Sequence, residues 1–304
     1  MEYVLQTFGL TKVFGKKVAV KEINMNVRKG DIYGFIGRNG AGKTTFIRMI
    51  SGLARPSGGS IRLFDSEDIQ KQRHRIGTMI ENPAIYPNMT ARDNLKYYCK
   101  LLSVNSNVVD EMLDLVGLSD TGKKKARNFS LGMKQRLAIA IALMGEPEFL
   151  LLDEPINGLD PSGIKEIREL ILKLNKEKNI TILVSSHILG ELSKIATRYG
   201  VINNGVLVDE FTNEELLERC AGKLEYKVDN AQQAANILRG LIDPANIAVV
   251  DGNTIHIAND LDKAAVLTSE LAKNGVMVNS CSVIGQDLEA YFMYLCNLTD
   301  KRIS

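Results

Sequence analysis

A glycine-rich segment near the start of the chain has the residue types and the spacing needed to hold phosphate groups. Residues 37–44, Gly-Arg-Asn-Gly-Ala-Gly-Lys-Thr, fit the pattern G-x-x-x-x-G-K-[ST]. The run 31–37 is predicted to be a buried strand, and a helix is predicted to start inside the turn. Backbone N–H groups of such a turn point at phosphate oxygens. We therefore predict a phosphate-binding loop (P-loop), and the flanking strand and helix weaken the alternative of a chance match.

Each polar group of this loop has a predicted partner. Lys43 is expected to reach the β and γ oxygens of a nucleoside triphosphate, and the Thr44 hydroxyl is expected to bind Mg²⁺. Glycines let the backbone approach the phosphates closely because they carry no side chain. The residues expected to contact the nucleotide in this segment are Gly37, Asn39, Gly40, Ala41, Gly42, Lys43, Thr44 and Thr45.

Two carboxylates follow a second apolar run. Residues 149–152 are Phe-Leu-Leu-Leu, and Asp153 and Glu154 come directly after them. The end of a buried strand is a costly place for charge unless a cation or a reaction uses it. Asp153 is expected to hold the Mg²⁺, and Glu154 to act as the general base that orients water on the γ-phosphate. A strand that simply ends in an acidic turn explains the pair equally well alone, but not beside a P-loop.

One histidine has a setting that suggests chemistry. His187 follows the apolar run 180–185, which is predicted to be a third strand. A lone histidine is more often packed or merely exposed, but the carboxyl end of a neighbouring strand would let this imidazole reach the γ-phosphate. His74 and His256 have no such setting, and no role is assigned to them.

The elements around these residues favour an α/β fold. Strands that alternate with helices indicate a parallel sheet whose ligand lies at the carboxyl ends of its strands. Helical periodicity dominates 90–117 and 131–144, and an amphipathic helix is predicted over about 162–177. Apolar and aromatic residues of the first helical segment are predicted to be core; they are Tyr97, Tyr98, Leu101 and Leu102.

The pattern changes after about residue 221. A strand, a helix, a hairpin across residues 251–253, a helix and a further strand follow one another. That order resembles a ferredoxin-like βαββαβ unit, closed by a helix predicted over 287–298. We therefore predict two domains, 1–218 with a helical subdomain at about 84–145, and a small α+β accessory domain at 221–304.

Composition limits the possible partners and locations. The 304 residues, 45% of them hydrophobic, can bury one large core and a second, smaller one. A net charge of +2 gives no broad cationic surface, so nucleic acid is not an expected partner. No apolar run approaches the ~18 residues of a membrane span, and the features of a secretory signal are missing, so a cytoplasmic location is expected. The cysteines, Cys99, Cys220, Cys281 and Cys296, lack metal-ligand spacing and are expected to be reduced thiols.

In this order along the chain, the motifs resemble those of the ATP-binding subunits of ABC (ATP-binding cassette) transporters, over about residues 2–218. Besides the P-loop, the acidic pair and His187, the chain has Phe14 ahead of the P-loop, Ser-Leu-Gly-Met at 130–133, and Pro-Ile-Asn-Gly-Leu-Asp at 155–160. Many nucleotide hydrolases have a P-loop, whereas the segment 130–133 opening a helix before the acidic strand is specific to ABC proteins. The resemblance implies a mixed β core, an antiparallel β subdomain and a helical subdomain.

The resemblance also implies roles and partners. Phe14 would stack on adenine, and Ser130 and Gly132 would approach the γ-phosphate of ATP held by a second nucleotide-binding subunit, so that a homodimer encloses two Mg·ATP. A separate transmembrane permease would hold the protein at the inner face of the cell membrane. The usual signature is Leu-Ser-Gly-Gly-Gln; Leu131 and Met133 depart from it, which puts the contacts of those two side chains in doubt.

A second departure from the usual family motifs indicates a particular group within the family. Glu81 stands where most relatives have a glutamine that touches Mg²⁺ and water, and it is therefore a candidate metal-binding and catalytic residue. Glu81, the segment 130–133 and the segment 86–94 together resemble the ATPases of bacitracin-resistance and lantibiotic-immunity exporters. We expect an ATPase that exports, or confers immunity to, a peptide antibiotic. The alternatives are a non-transport ABC ATPase, which usually has two cassettes or a coiled-coil insertion, and a regulatory ABC module.

Overall fold

A computed structural model describes residues 2–81, 85–285, 290–293 and 295. The chain divides into two compact units: residues up to Asn213, together with Leu295, form the first, and residues from Glu214 form the second. The boundary between the units, after Asn213, thus lies slightly before the predicted end of the first domain at residue 218. Among the described residues, no helix combines the length and the apolar character needed to cross a membrane.

Strands and helices alternate through the first unit. Its strands are β1 (Tyr3–Phe14), β2 (Lys17–Arg28), β3 (Ile32–Ile36), β4 (Gly58–Leu63), β5 (Ile76–Met79), β6 (Phe149–Asp153), β7 (Thr181–Ser186), β8 (Arg198–Asn203) and β9 (Val206–Thr212). Its helices are α1 (Lys43–Ser51), α2 (Ile69–Gln72), α3 (Ala91–Leu102), α4 (Val108–Leu115), α5 (Leu131–Leu143), α6 (Pro161–Lys178) and α7 (Leu189–Leu192). Short 3₁₀ turns lie at Arg73–Arg75, Ser119–Thr121 and Ala126–Asn128.

The main sheet has six strands in the order β5-β6-β7-β3-β8-β9. The first five strands in this order are parallel to their neighbours, whereas the edge strand β9 is antiparallel to β8. Strands β3, β6 and β7 are buried at every position, as expected of strands covered on both faces. Because their carboxyl ends meet at one edge, the P-loop after β3, the acids at the end of β6 and His187 after β7 are brought together.

A second, antiparallel sheet packs beside the first. Its strand order is β2-β1-β4, and the two long strands β1 and β2 are joined by a tight turn at Gly15 and Lys16. Apolar side chains of these strands share one core with Phe46 of α1 and with Phe35 of β3. The predicted combination of a mixed β core and an antiparallel β subdomain is confirmed.

The helical segment between β5 and β6 differs from the prediction in its packing. Helix α3 begins with a capping box, in which Thr90 and Asp93 satisfy each other's backbone N–H groups, and it ends at Leu102. It buries a narrow stripe, which is Ala91, Asn94, Leu95 and Cys99. The prediction that Tyr97, Leu101 and Leu102 are core is wrong, since these side chains are exposed, and Tyr98 is only half-buried. The stripe recurs every three or four residues, and Tyr97 and Leu101 lie off it. Leu102 lies on it by spacing, three residues after Cys99, but it is the last residue of the helix and is exposed there.

The second unit is a small α+β fold. Its elements are α8 (Asn213–Cys220), β10 (Lys223–Val228), α9 (Ala231–Leu238), β11 (Ile247–Val249), β12 (Thr254–Ala258), α10 (Ala264–Lys273) and β13 (Val278–Ile284), with 3₁₀ turns at Pro244–Asn246 and Leu261–Lys263. The sheet order β11-β12-β10-β13, antiparallel throughout, is that of a ferredoxin-like βαββαβ unit. Leu224, Tyr226, Ile255 and Ile257 project from the sheet into a core with Leu238 and Leu271.

Two predictions fall partly outside the described residues. Residues 290–293 are helical, within the helix predicted over 287–298, of which 287–289, 294 and 296–298 are not described. Cys99, Cys220 and Cys281 are free thiols, whereas Cys296 lies outside the described residues.

Candidate functional site

The P-loop curls around the start of α1. Helix α1 begins at Lys43, and Gly42 before it has φ 113°, a conformation that favours glycine. A Cβ added at Gly42 would lie 2.6 Å from the backbone oxygen of Ala19, so the loop leaves no room for a side chain there. Gly37 and Ala41 are buried behind the loop. First-turn N–H groups of α1 are thus left free to bind an anion.

An open cavity of about 480 Å³ lies in front of this loop. Most of the predicted nucleotide-binding residues line it, namely Phe14, Asn39, Gly40, Gly42, Lys43, Thr44 and Thr45, and Glu154 lines it too. The remaining walls are Lys17, Val18, Ala19, Asn204 and Gly205, which the sequence analysis did not assign. The last two form the hairpin between β8 and β9, and only its placement in the folded chain reveals its part in the site.

Phe14 lies at the mouth of the cavity. It is the last residue of β1, more than half of its side chain is exposed, and Lys12 places its ammonium 4.8 Å from the ring centroid. The Lys12 ammonium also donates a hydrogen bond to the backbone oxygen of Arg55, at 2.7 Å. An exposed aromatic ring at the rim of a phosphate cavity offers a flat face on which a base can stack.

Lys43 is held inside the site by three oxygen atoms. Its Nζ donates to the backbone oxygen of Gly37 at 2.5 Å and to that of Arg38 at 3.2 Å, and it lies 3.1 Å from Glu154 Oε1. Only 5% of the Lys43 side chain is exposed. A buried ammonium needs negative partners, and Glu154 supplies the one formal charge in this set.

Thr44 and Asp153 are in direct contact. The Thr44 hydroxyl donates to Asp153 Oδ2 at 2.7 Å, and the Ser185 hydroxyl donates to Asp153 Oδ1 at 2.6 Å. Ser185 also accepts a hydrogen bond from the backbone N–H of Glu154, at 3.0 Å. Ser185 thus fixes both acids from the neighbouring strand β7. The sequence analysis missed it, although its position at the strand end before His187 was the available signal.

The Glu154 carboxylate lies between the side chains of Lys43 and His187. Its Oε2 lies 2.9 Å from His187 Nδ1, while Oε1 pairs with Lys43. Glu154 has φ 51°, in the left-handed region, where a non-glycine residue costs of order 1 kcal/mol or more. That backbone turn accompanies the departure of the chain from β6, so Asp153 faces Thr44 while Glu154 faces Lys43 and His187.

Glu81 is placed apart from this cluster. In the described contacts its Oε1 pairs with the guanidinium of Arg48 on α1, at 2.8 Å, and neither side chain is buried. Glu81 also has a left-handed backbone, with φ 54°. The structure therefore brings together Lys43, Thr44, Asp153, Glu154 and His187, but it leaves the Glu81 carboxylate on Arg48.

Ser130 and Gly132 lie at the start of helix α5. Ser130 is exposed and caps that helix, since its hydroxyl accepts from the backbone N–H of Met133 at 3.2 Å. A Cβ at Gly132 would meet Gly163 and Leu159 at 3.8 Å, an ordinary van der Waals distance. Neither residue lines the cavity in front of the P-loop.

Comparisons with known proteins agree with this architecture. The family model described as "ABC transporter" matches residues 20–157. The chain is 42% identical over 299 residues to the bacitracin transport ATP-binding protein BcrA of Bacillus licheniformis, covering 97% of this chain and 98% of that protein. It is also 42% identical over 217 residues to the lantibiotic transport ATP-binding protein SrtF of Streptococcus pyogenes, covering 71% and 94%.

Solved structures show the same fold. The dimeric structure of MJ0796, a bacterial ABC transporter cassette, matches with a TM-score of 0.61 and 26% identity, covering 69% of this chain and 98% of that one. A cavity in front of the P-loop, two acids at the end of β6 and near full-length similarity to BcrA thus agree, and the chain belongs to the family of ABC transporter ATP-binding proteins, which hydrolyse ATP.

Proposed function

We propose that this chain hydrolyses Mg·ATP to drive a transporter that removes a peptide antibiotic of the bacitracin or lantibiotic type. The ATPase part rests on one observation above all: Glu154 lies between Lys43 and His187 at the edge of the phosphate cavity. The substrate class rests on the near full-length similarity to BcrA and on the similarity to SrtF over the first unit.

The residues present suit a magnesium ion. Mg²⁺ prefers hard oxygen ligands and commonly takes only one or two from the protein, with phosphates and water supplying the rest. The Thr44 hydroxyl and the Asp153 carboxylate are already in contact, and among the described residues no group of three or more Asp, Glu, His or Cys side chains is arranged to hold a metal ion by itself. That donor set fits a metal shared with phosphate. The ion would neutralise the charge that develops on the phosphate oxygens.

The protein groups then have distinct tasks. Lys43 and the N–H groups of the P-loop hold the phosphates, and Thr44 with Asp153 holds the metal. Glu154 accepts the proton of the attacking water as general base, and His187 keeps its carboxylate oriented while lying within reach of the γ-phosphate. Phe14 stacks on adenine, and Glu81 joins the metal site when it leaves Arg48.

The active form is proposed to be a homodimer. Ser130 and Gly132 lie outside the cavity of their own chain, and Ser130 is exposed at the start of α5. A second subunit would present these residues to the ATP bound by the first. The solved dimer of MJ0796 supports such an arrangement for this family.

The permease and the second unit complete the proposal. Transport requires a membrane-spanning partner, and none of the described helices is suited to that role, so we propose a separate permease that holds this chain at the inner face of the membrane. Among its described residues, the ferredoxin-like second unit has no group of His, Cys, Asp or Glu side chains that could hold a metal ion. We propose that it supports the dimer or regulates it.

Cell-based tolerance tests the substrate class. A strain that lacks this chain but keeps its membrane partner should become more sensitive to bacitracin or to a lantibiotic. The native chain should restore tolerance, whereas Glu154→Gln, expressed to the same level, should not. Unchanged tolerance of the deletion strain to every such peptide would refute the antibiotic part of the proposal and leave the ATPase part standing.

A further inference from the structure

The Arg48–Glu81 ion pair links the loop after β5 to the helix that begins in the P-loop. Arg48 lies on α1, four residues after Thr44, so the two side chains share one face of that helix. Helical side chains lean toward the N-terminus, so Arg48 extends from its turn toward that of Thr44. The Glu81 carboxylate, 2.8 Å from the guanidinium, is therefore held beside the helix that supplies the metal-binding hydroxyl.

Strand register places the backbone of Glu81 close to the acids. Strands β5 and β6 are parallel neighbours, and Met79 pairs with Leu152. Glu81 is two residues beyond Met79, as Glu154 is two residues beyond Leu152, so both chains leave the sheet at the same edge. Neighbouring strands lie about 4.8 Å apart. The Glu81 carboxylate is thus held at the sheet edge where Asp153 contacts Thr44.

Two features make this arrangement easy to reverse. Arg48 and Glu81 are 43% and 54% exposed, and ion pairs this exposed contribute little to stability. Glu81 also holds a left-handed backbone conformation, which a glutamate does not prefer. A carboxylate held by a weak contact on a strained backbone can be transferred by a ligand of modest affinity.

We propose that Arg48 is a positioning residue that competes with Mg²⁺ for the Glu81 carboxylate. Arg48 holds Glu81 one helical turn from Thr44, and metal contact requires that the pair opens. The position of the Glu81 side chain is thereby coupled through α1 to the occupancy of the P-loop. This inference rests on the proposed contact between Glu81 and the metal.

The test measures how strongly Mg²⁺ tightens nucleotide binding. The quantity is the ratio of two dissociation constants for a non-hydrolysable ATP analogue, that in EDTA divided by that in Mg²⁺, obtained by equilibrium dialysis of the full chain. Arg48→Met keeps the length of the side chain but removes its charge. This variant should raise the ratio about two- to fivefold, the range expected for an exposed ion pair. Arg48→Lys, which keeps the charge, should stay close to the native ratio.

Two further variants separate competition from a general structural effect. In a Glu81→Gln chain, Arg48→Met should leave the ratio unchanged, because the carboxylate for which the two cations compete is gone. Arg62→Met is the matched control, since Arg62 is 44% exposed and pairs with Glu67 on the antiparallel sheet. It should leave the ratio at the native value.

The outcomes distinguish this inference from the proposed function. An unchanged ratio in Arg48→Met, or an equal rise in the Glu81→Gln background, overturns the competition while the metal role of Glu81 stands. If Glu81→Ala, which removes every side-chain oxygen at this position, leaves the ratio at the native value, Glu81 does not touch the metal, and both the role proposed for it and the competition are overturned.

Discussion

The Glu154 carboxylate lies 3.1 Å from the Lys43 ammonium, so the proposed general base and the main phosphate-binding cation are paired with each other. Lys43 is buried and would be costly to leave without a counter-charge. Terminal phosphates carry more negative charge than one carboxylate and would take over Lys43 when they enter the loop. Glu154 would then keep His187 as its partner and turn toward water. Binding and activation of the base are thus linked through one ion pair.

Glu154→Gln tests this link. The amide keeps the shape of the side chain but cannot accept the proton of water, so turnover should fall at least about 100-fold. Nucleotide binding should persist, because Lys43 gains a phosphate partner in place of the lost carboxylate. Phosphate release and equilibrium binding of ATP give the two measurements. Turnover within twofold of the native rate would contradict the assignment of Glu154 as general base.

Ser185→Ala should weaken the proposed metal site, although Ser185 itself is not expected to contact the nucleotide. The Ser185 hydroxyl donates to Asp153 and accepts from the backbone of Glu154, so its loss leaves two buried groups short of a partner. The free energy of unfolding should fall by about 1–3 kcal/mol. The Mg²⁺ concentration that gives half-maximal ATPase activity should rise several-fold, because Asp153 is no longer held.

The neighbouring serine provides a control for that effect. Ser186 is also fully buried, but its hydroxyl accepts from the backbone N–H of Ile188 and has no contact with the acids. Ser186→Ala should lower stability to a similar extent and leave the Mg²⁺ dependence unchanged. An equal change in Mg²⁺ dependence for both serines would show that Ser185 acts only through packing.

The convergence of the site residues was predictable because each of them belongs to a local pattern. Lys43 and Thr44 follow a fixed glycine spacing, and Asp153 and Glu154 end an apolar run, so strand and loop signals alone predicted that they would converge at one sheet edge. Ser185 and the hairpin at Asn204 and Gly205 carry no such pattern. Their roles depend on which strand lies beside β6 and β3, and strand order is a tertiary property.

The packing of the helical segment was not predictable in the same way. Helical periodicity was recognised, but aromatic and leucine side chains at 97–102 were assigned to the core by their hydrophobicity alone. Helix α3 is exposed on most of its surface and buries one stripe. Hydrophobic residues can remain at a surface when a partner is to cover them, and a single chain does not reveal its partner. The ion pair between Arg48 and Glu81 was not predicted for a similar reason, since the two residues lie far apart in the sequence.

A half-buried carboxyl in the main sheet predicts a pH dependence of stability. Burial raises the pKa of Glu210 above its usual value, while hydrogen bonding from the Tyr33 hydroxyl, at 2.6 Å, opposes this shift. A raised pKa in the folded state means that folding favours the protonated form. The resulting loss of stability is absent below the unfolded pKa of Glu, about 4.3. It develops as the pH rises through the pKa of the folded state.

Glu210→Gln isolates the effect of Glu210 ionisation on stability, because glutamine keeps an acceptor for the Tyr33 hydroxyl and does not ionise. The melting temperature of the variant should match the native one below about pH 4 and exceed it at pH 7 to 8. Thermal unfolding at several pH values gives the comparison. A native protein that gains stability relative to Glu210→Gln as the pH rises would contradict the raised pKa.

Helix α3 offers a paired test of which side chains carry structure and which carry contact with a partner. Leu95 is fully buried, and Leu95→Ala should lower the free energy of unfolding by about 2–5 kcal/mol. Leu101 is 63% exposed, and Leu101→Ser should change that free energy by less than about 0.5 kcal/mol. Denaturant titrations followed by circular dichroism measure both.

If the exposed surface at Leu101 contacts the permease, Leu101→Ser should keep the ATPase activity of the purified chain and lower antibiotic tolerance in cells. Equal destabilisation by the two substitutions would instead return Leu101 to the core.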